Sequence, residues 1–107
     1  MTTFDKREEG FEKKFALDSE QKFKAEARRN KLLGLWAAEK LGITGDDAAA
    51  YAREVVAADF EEAGDQDVQN KVVKDFAAKG VAIAAPEVRA KMSELMAVAA
   101  AQVKSGT

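Results

Sequence analysis

The sequence predicts an all-α protein: a four-helix bundle-like domain at residues 19–107, preceded by a mobile N-terminal arm at residues 1–18. Three observations favour this fold class. Apolar residues recur at helical spacing in four segments, alanine is abundant, and the period-two alternation of β-strands is lacking. Isolated glycines follow the apolar segments and the single proline opens the last one, which is the asymmetry expected at helix ends. The helix-ending glycines are Gly42, Gly45, Gly64 and Gly80.

The first helix is predicted at residues 19–41, with Asp18 or Ser19 as its N-cap and Gly42 after its end. Its first half is polar, and we expect Phe23 and Ala27 to point inward. Its second half is apolar all round, with side chains in four separate directions: Leu32, Leu33, Leu35 and Trp36. We therefore expect this half to be covered on every side, as the central packing element. Three small residues would let a neighbouring helix approach it closely: Gly34, Ala37 and Ala38.

The remaining helices are predicted at 45–62, 66–79 and 86–104. Thr44 or Asp46 can cap the second helix, and Asp65 can cap the third. Short loops join the helices, which favours antiparallel neighbours in a bundle. The residues expected to be buried in the core are Leu33, Ala37, Val55 and Leu95.

The composition excludes several classes of function. Without cysteine or histidine, the chain lacks disulfides, thiol nucleophiles, histidine acid–base catalysis and the usual zinc ligand sets. No glycine-rich phosphate loop is present, so we predict no enzyme and no cofactor. A net charge of −2 argues against a nucleic-acid binder. No apolar run approaches the roughly 18–20 residues that cross a bilayer, so we expect a cytoplasmic protein without direct membrane insertion.

Carboxylates at the helix starts have an ordinary explanation. Asp46 with Asp47, and Asp65 with Asp67, could be interpreted as metal ligands, but helix capping accounts for both pairs and no metal site is predicted. Asp59 lies on the apolar stripe of the second helix, where we expect a partly exposed helix-end position or an ion pair.

Arg28, Arg29 and Lys31 form the one basic cluster. We favour a solvated basic surface beside an apolar helix, because consecutive helical residues diverge by about 100° and cannot all face one ligand. The alternative is a site for a nucleotide, ATP or ADP, held by these three residues. Trp36 likewise has two interpretations, a core or near-core side chain, which we favour, or an exposed partner anchor.

The N-terminal arm carries three phenylalanines on one helical face, Phe4, Phe11 and Phe15, among mostly charged side chains. Three phenylalanines cannot offset the conformational entropy that is lost when so short a helix becomes ordered, and Gly10 weakens the helix further. Residues 1–15 should be mobile in the free protein, or only partly helical. The arm is then either a solvated tail, which the residues alone slightly favour, or a helix that folds into a groove on a partner.

Residues 4–42, 50–68 and 88–100 resemble the zeta subunit of the F-type ATP synthase of alphaproteobacteria, and the resemblance covers essentially the whole chain. Its most specific part is ARRNKLLGLWAAEKLG, residues 27–42. The resemblance implies a four-helix protein with a mobile arm that inhibits ATP hydrolysis. It also implies a location peripheral to the inner membrane through the synthase.

The family's inhibitory stretch is its N-terminal arm, which implies binding to the catalytic head, formed by the alpha, beta and gamma subunits. The positions of this chain that match the arm motif are Phe4, Asp5, Arg7, Glu8, Phe11, Glu12 and Phe15. Gly10 departs from the better helix former of the family, which bears on arm affinity. Two other functions stay open: a small nucleotide-binding regulatory module, and a structural assembly factor of the synthase.

Overall fold

Helices are the only regular secondary structure in the described part of the protein. The structure, a computed structural model, describes residues 17–59 and 65–106, and within these ranges it contains four α-helices and no strand. The helices are α1 (Ser19–Leu41), α2 (Gly45–Ala58), α3 (Gln66–Ala78) and α4 (Ala85–Ser105). The predicted all-α class is confirmed. The predictions for residues 1–16, which include most of the arm, lie outside the described residues.

Helix α1 has the predicted bounds, and local hydrogen bonds fix its start. The Asp18 carboxylate accepts a hydrogen bond from the Gln21 N–H at 2.7 Å, and the Gln21 side-chain oxygen accepts one from the Asp18 N–H at 3.2 Å. This reciprocal capping box satisfies donors that a helix start would otherwise leave unpaired. At the other end, Gly42 adopts a left-handed conformation with φ of 78°, which is readily accessible to glycine.

The other helix ends differ modestly from prediction. Helix α2 ends at Ala58, so the predicted bound of 62 is wrong, and Asp59 occupies the half-buried C-cap, as a helix-end residue. Helix α4 is one residue longer at each end than predicted, and α3 is one residue shorter. Thr44 and Asp65 do occupy N-cap positions, but neither side chain makes a capping hydrogen bond.

Helix α1 is the central element, because it contacts each of the other three helices. It runs antiparallel to α2, since Gly34 faces Ala52 while Lys31, earlier in α1, lies beside Val56. It also runs antiparallel to α4, since Arg28 reaches Gln102 while Trp36 lies under Lys91. The bundle is thus built outward from α1.

A single apolar core joins the four helices. Its fully buried large side chains are Leu33, Val55, Val68, Val72, Phe76, Val88 and Met92. Ile43, Val81 and Ile83, from the connecting segments, pack against this core. The predicted burial of Leu33, Ala37 and Val55 is confirmed. The prediction for Leu95 is wrong: it is only partly buried, because Val88, Met92 and Ala99 form the inner stripe of α4 and Leu95 packs beside it.

Two predictions for α1 are also wrong. Phe23 does not point inward but is 59% exposed, because α2 ends at Ala58 and does not extend alongside the first turns of α1. Leu35 is 39% exposed, so the apolar half of α1 is not covered on every side. The inner stripe of the polar half instead contains Ala25 and two polar residues, Arg29 and Asn30.

The closest approach between helices occurs at Gly34. A Cβ placed on Gly34 would lie 2.6 Å from the Ala52 Cα, 3.1 Å from the Ala52 Cβ and 3.3 Å from the Val55 Cβ. The predicted close approach at this glycine is confirmed. Since the nearest atom belongs to the backbone of α2, no side-chain rotation could accommodate a larger residue.

We expect Gly34→Ala to destabilise the protein. Overpacking typically costs about 1–3 kcal/mol. We expect a value near the upper end, exceeding the ~1 kcal/mol that alanine gains over glycine in helix propensity. Urea unfolding followed by circular dichroism measures the difference. Adding Ala52→Gly should not rescue the variant, because the Ala52 Cα is the nearest atom. Glu39→Ala, at an exposed position of α1, should change stability little. A Gly34→Ala protein as stable as wild type would contradict the close packing.

Met92 and Leu95 of α4 should differ in their contribution to stability. Met92 is 2% exposed, so Met92→Ala should lower the free energy of unfolding by roughly 2–5 kcal/mol. Leu95→Ala should cost clearly less, because part of that side chain is already in solvent. Parallel urea titrations test this order, and the reverse order would show that the inner stripe of α4 is misassigned.

Candidate functional site

The structure separates the three residues of the predicted basic cluster. Arg29 is 6% exposed and lies in the interior. Arg28 is half-buried and donates a hydrogen bond from Nη1 to the Gln102 Oε1 at 3.4 Å, whereas Lys31 is exposed. The prediction of a solvated basic surface is therefore wrong for Arg29. The three side chains therefore do not share one surface on which they could hold a nucleotide together.

Asp65 neutralises the buried arginine. Its Oδ2 accepts a hydrogen bond from Arg89 Nη1 at 2.7 Å and lies 3.7 Å from Arg29 Nη1. Arg29 also donates from Nε to the Asn30 Oδ1 at 3.0 Å, and Arg89 donates from Nε to the Gln69 Oε1 at 2.8 Å. The hydrogen bond from Arg89, followed by the positive charges of Arg89 and Arg29, lowers the pKa of Asp65 despite partial burial.

This cluster is structural in character. It joins α1, through Arg29, to the start of α3 and to α4, through Arg89. It also explains why Asp65 does not cap α3, since its carboxylate is turned to the two arginines. Within the described ranges, no group of three or more histidine, cysteine, aspartate or glutamate residues is arranged to hold a metal ion.

Arg28 and Lys31 instead line an open surface groove of about 710 Å³ together with Lys24. A second depression of about 360 Å³ adjoins it, because both are lined by Lys31 and Val56, and it adds Arg53 and Leu35. We call the combined surface the basic groove. Its cationic residues are Lys24, Arg28, Lys31 and Arg53, and its apolar residues include Phe23, Leu35, Val56 and Val103.

Sequence reasoning missed part of the basic groove. Lys24, Arg28 and Lys31 recur at intervals of four and three, which places them on one helical face, so this signal was present in the sequence. Arg53 and Val103 belong to α2 and α4, and only the packing of those helices against α1 brings them to the groove.

Trp36 takes the near-core position favoured from the sequence. It is half-buried, and its ring meets that of Phe76 edge-on with centroids 5.7 Å apart. The Lys91 Nζ lies 5.8 Å from the centre of the indole. These contacts explain Trp36 as a core-edge residue.

A separate polar cluster joins α2 and α3. The Tyr51 hydroxyl donates a hydrogen bond to the Asp75 Oδ2 at 2.7 Å, and the Lys71 Nζ lies 3.1 Å from the same oxygen. Burial raises the pKa of the Tyr51 phenol above its usual range, and the bond to Asp75 adds to this shift. The phenol therefore stays protonated well into the alkaline range and serves as a hydrogen-bond donor between the helices.

The arm residues proposed from the resemblance all lie outside the described residues, since they fall within 1–16. They are Phe4, Asp5, Arg7, Glu8, Phe11, Glu12 and Phe15. No helix in the described part is long and apolar enough to span a membrane.

Comparison with known proteins identifies the family. The family model for ATPase inhibitor subunit zeta matches residues 1–102. The chain belongs to the zeta family. The resemblance noted in the sequence is thereby confirmed, and with it the family's role as an ATPase inhibitor and its association with the ATP synthase.

A solved structure supports the fold. The chain is similar to a protein whose structure was solved in solution by NMR, with 60% sequence identity and a TM-score of 0.69. The match covers 79% of this chain and 96% of that one. No curated protein matches the chain.

The Asp65 cluster predicts a specific dependence of stability on pH. The pKa of Asp65 lies below its ordinary value of 3.8 in the folded state. Such a shift adds stability that is complete above the unfolded-state pKa and is lost as the pH falls through the folded-state pKa. Asp65→Asn should therefore be less stable than wild type at pH 7. The difference should shrink on acidification from about pH 5 to pH 2, as measured by urea unfolding.

Asp47→Asn, at an exposed position in the first turn of α2, is the control, and its loss of stability at pH 7 should be smaller than that of Asp65→Asn, because an exposed carboxylate at a helix start contributes only about 0.3–1 kcal/mol. If Asp65→Asn ran parallel to wild type over the whole pH range, the carboxylate would not be stabilised by the two arginines.

Proposed function

We propose that this protein inhibits ATP hydrolysis by the F-type ATP synthase through its N-terminal arm. The arm inserts as a helix into the catalytic head, among the alpha, beta and gamma subunits, and blocks rotation. The observation that carries this proposal is the zeta-family match, which spans residues 1–102 and so includes the arm as well as the bundle.

The arm residues suit such a binding helix. Phe4, Phe11 and Phe15 share one helical face and would supply aromatic anchors in a buried interface. The charged residues of the motif would pair at the rim, where they guide association more than they add affinity: Asp5, Arg7, Glu8 and Glu12.

The bundle is suited to act as a separate unit that positions the arm. The buried apolar residues of the described part lie between Ala25 and Ala100, and the start of α1 is satisfied by its own Asp18 and Gln21. Steric inhibition requires no reacting group, so in this proposal the protein is not an enzyme and uses no cofactor. It would reside on the cytoplasmic side, peripheral to the inner membrane through the synthase.

A second candidate function is the binding of ATP or ADP as a regulatory signal at one depression of the basic groove. Arg28 and Lys31 line the groove with Lys24, while Arg29 is committed to Asp65. An NMR titration with ATP tests this function: saturable shifts centred on residues 24–31 would support it. An assembly factor, in contrast, would leave the ATPase activity of the purified synthase unchanged.

Removal of the arm should abolish inhibition. Because Asp18 caps α1, the deletion should span residues 2–16 and retain the cap. We expect the truncated chain to keep its helicity and to lose inhibition of ATP hydrolysis by the purified synthase. Phe11→Ala should weaken inhibition in the same direction, by about thirtyfold in affinity, as loss of a 2 kcal/mol anchor would.

Lys104→Ala, an exposed change near the end of α4, is the control and should inhibit like wild type. Circular dichroism of each variant must first show an intact bundle. A folded, truncated chain that inhibits as well as the full chain would refute the role of the arm.

A further inference from the structure

The basic groove has a regular layout along α1. Lys24, Arg28 and Lys31 are followed by Leu35 at intervals of four, three and four residues, so all four lie on one face. At 1.5 Å per residue this stripe extends for about 17 Å, or three helical turns. Arg53 of α2 continues the cationic border beside Lys31 and Leu35.

The lining of the groove is one-sided in charge. Within the described part, four basic side chains line its two depressions and no carboxylate does, while Glu20, beside the groove, pairs with Lys24 at 3.1 Å. Leu35, an exposed large apolar side chain, lies at one end of the groove, and Val56 and Val103 line it. Exposed apolar side chains bordered by charge of one sign are typical of a surface that receives another chain.

We propose that the basic groove docks an acidic amphipathic helix of a protein partner, as a second attachment of the bundle to the catalytic head. The inference rests on the proposed function for the identity of the partner. The chemistry follows from the surface: the apolar face of the helix would cover Leu35, Val56 and Val103, and its flanking carboxylates would meet the four cations. Three turns of groove match a partner segment of roughly twelve residues.

The distribution of the cations favours a helix over a nucleotide. A phosphate group is bound best where cationic and N–H donors converge on one point. Here Lys24 and Arg53 belong to different depressions of the groove, and an apolar floor lies between the cations. An acidic helix can use each cation separately along its length.

A charge-reversal experiment on the full chain tests the proposal. The double variant Lys31→Glu/Arg53→Glu reverses two exposed cations whose side chains make no ion pair within the described residues. Its binding to the purified catalytic head, measured by biolayer interferometry, should weaken by about tenfold or more, mainly through slower association, and the loss should shrink at high salt. The matched control Lys40→Glu/Lys74→Glu reverses two exposed lysines outside the groove and should change binding less than about twofold.

Zero-length carbodiimide crosslinking then identifies what lies in the groove. It should join Lys24 or Lys31 to a carboxylate in a helical segment of the synthase, with little product from Lys40 or Lys74. Wild-type binding by the double reversal would overturn the proposal, as would a crosslink to a second copy of this chain. If the double variant lost the ATP-induced NMR shifts but still bound the catalytic head like wild type, the groove would be a nucleotide site and the proposal would also fail. Wild-type inhibition by Phe11→Ala would instead count against the arm mechanism, so the two failures are distinguishable.

Discussion

The backbone contact between α1 and α2 at Gly34 is the constraint on which the rest of the bundle depends. With a Cβ on Gly34 only 2.6 Å from the Ala52 Cα, the two helix axes cannot be this close for any other residue. Their proximity allows Val55 to share one core with Leu33. It also brings Arg53 and Lys31 to the same depression on the outer side. One missing methyl group therefore shapes both the core and the candidate docking surface.

Neighbouring residues of one basic run have opposite roles because a helix turns about 100° per residue. Arg29 is directed to the interior, where its charge is acceptable because the Asp65 carboxylate lies 3.7 Å from it and the Asn30 side-chain oxygen accepts a hydrogen bond from its Nε. Arg28 and Lys31 are directed to the surface groove. The buried arginine helps to hold α3 and α4 in place, while Arg28 and Lys31 line the surface. One basic cluster in the sequence thus divides into a buried structural residue and two groove-lining residues.

Local patterns predicted most of the helices, and the partial failures arise where long-range packing decides. The bounds of α1 follow from Asp18 and Gly42, which act within one turn, and Leu33 and Val55 are apolar at positions that face inward. The exposure of Phe23 depends on where α2 ends, which the apolar stripe of α2 does not show. The burial of Arg29 depends on Asp65, 36 positions later in the chain. The groove could be predicted only in part, because Arg53 and Val103 come from other helices.

The capping box at Asp18 also has a mechanical consequence. Asp18 is extended, with φ of −74° and ψ of 176°, so α1 cannot continue upstream as one straight rod without losing the two bonds of the box. A cap of this kind contributes about 1 kcal/mol, which makes residue 18 a defined joint. If the arm binds the catalytic head as proposed, a load on it would be transmitted to the bundle through the extended backbone of Asp18. A bending load, which would otherwise displace the bundle from the head, would be relieved by backbone rotation at Asp18.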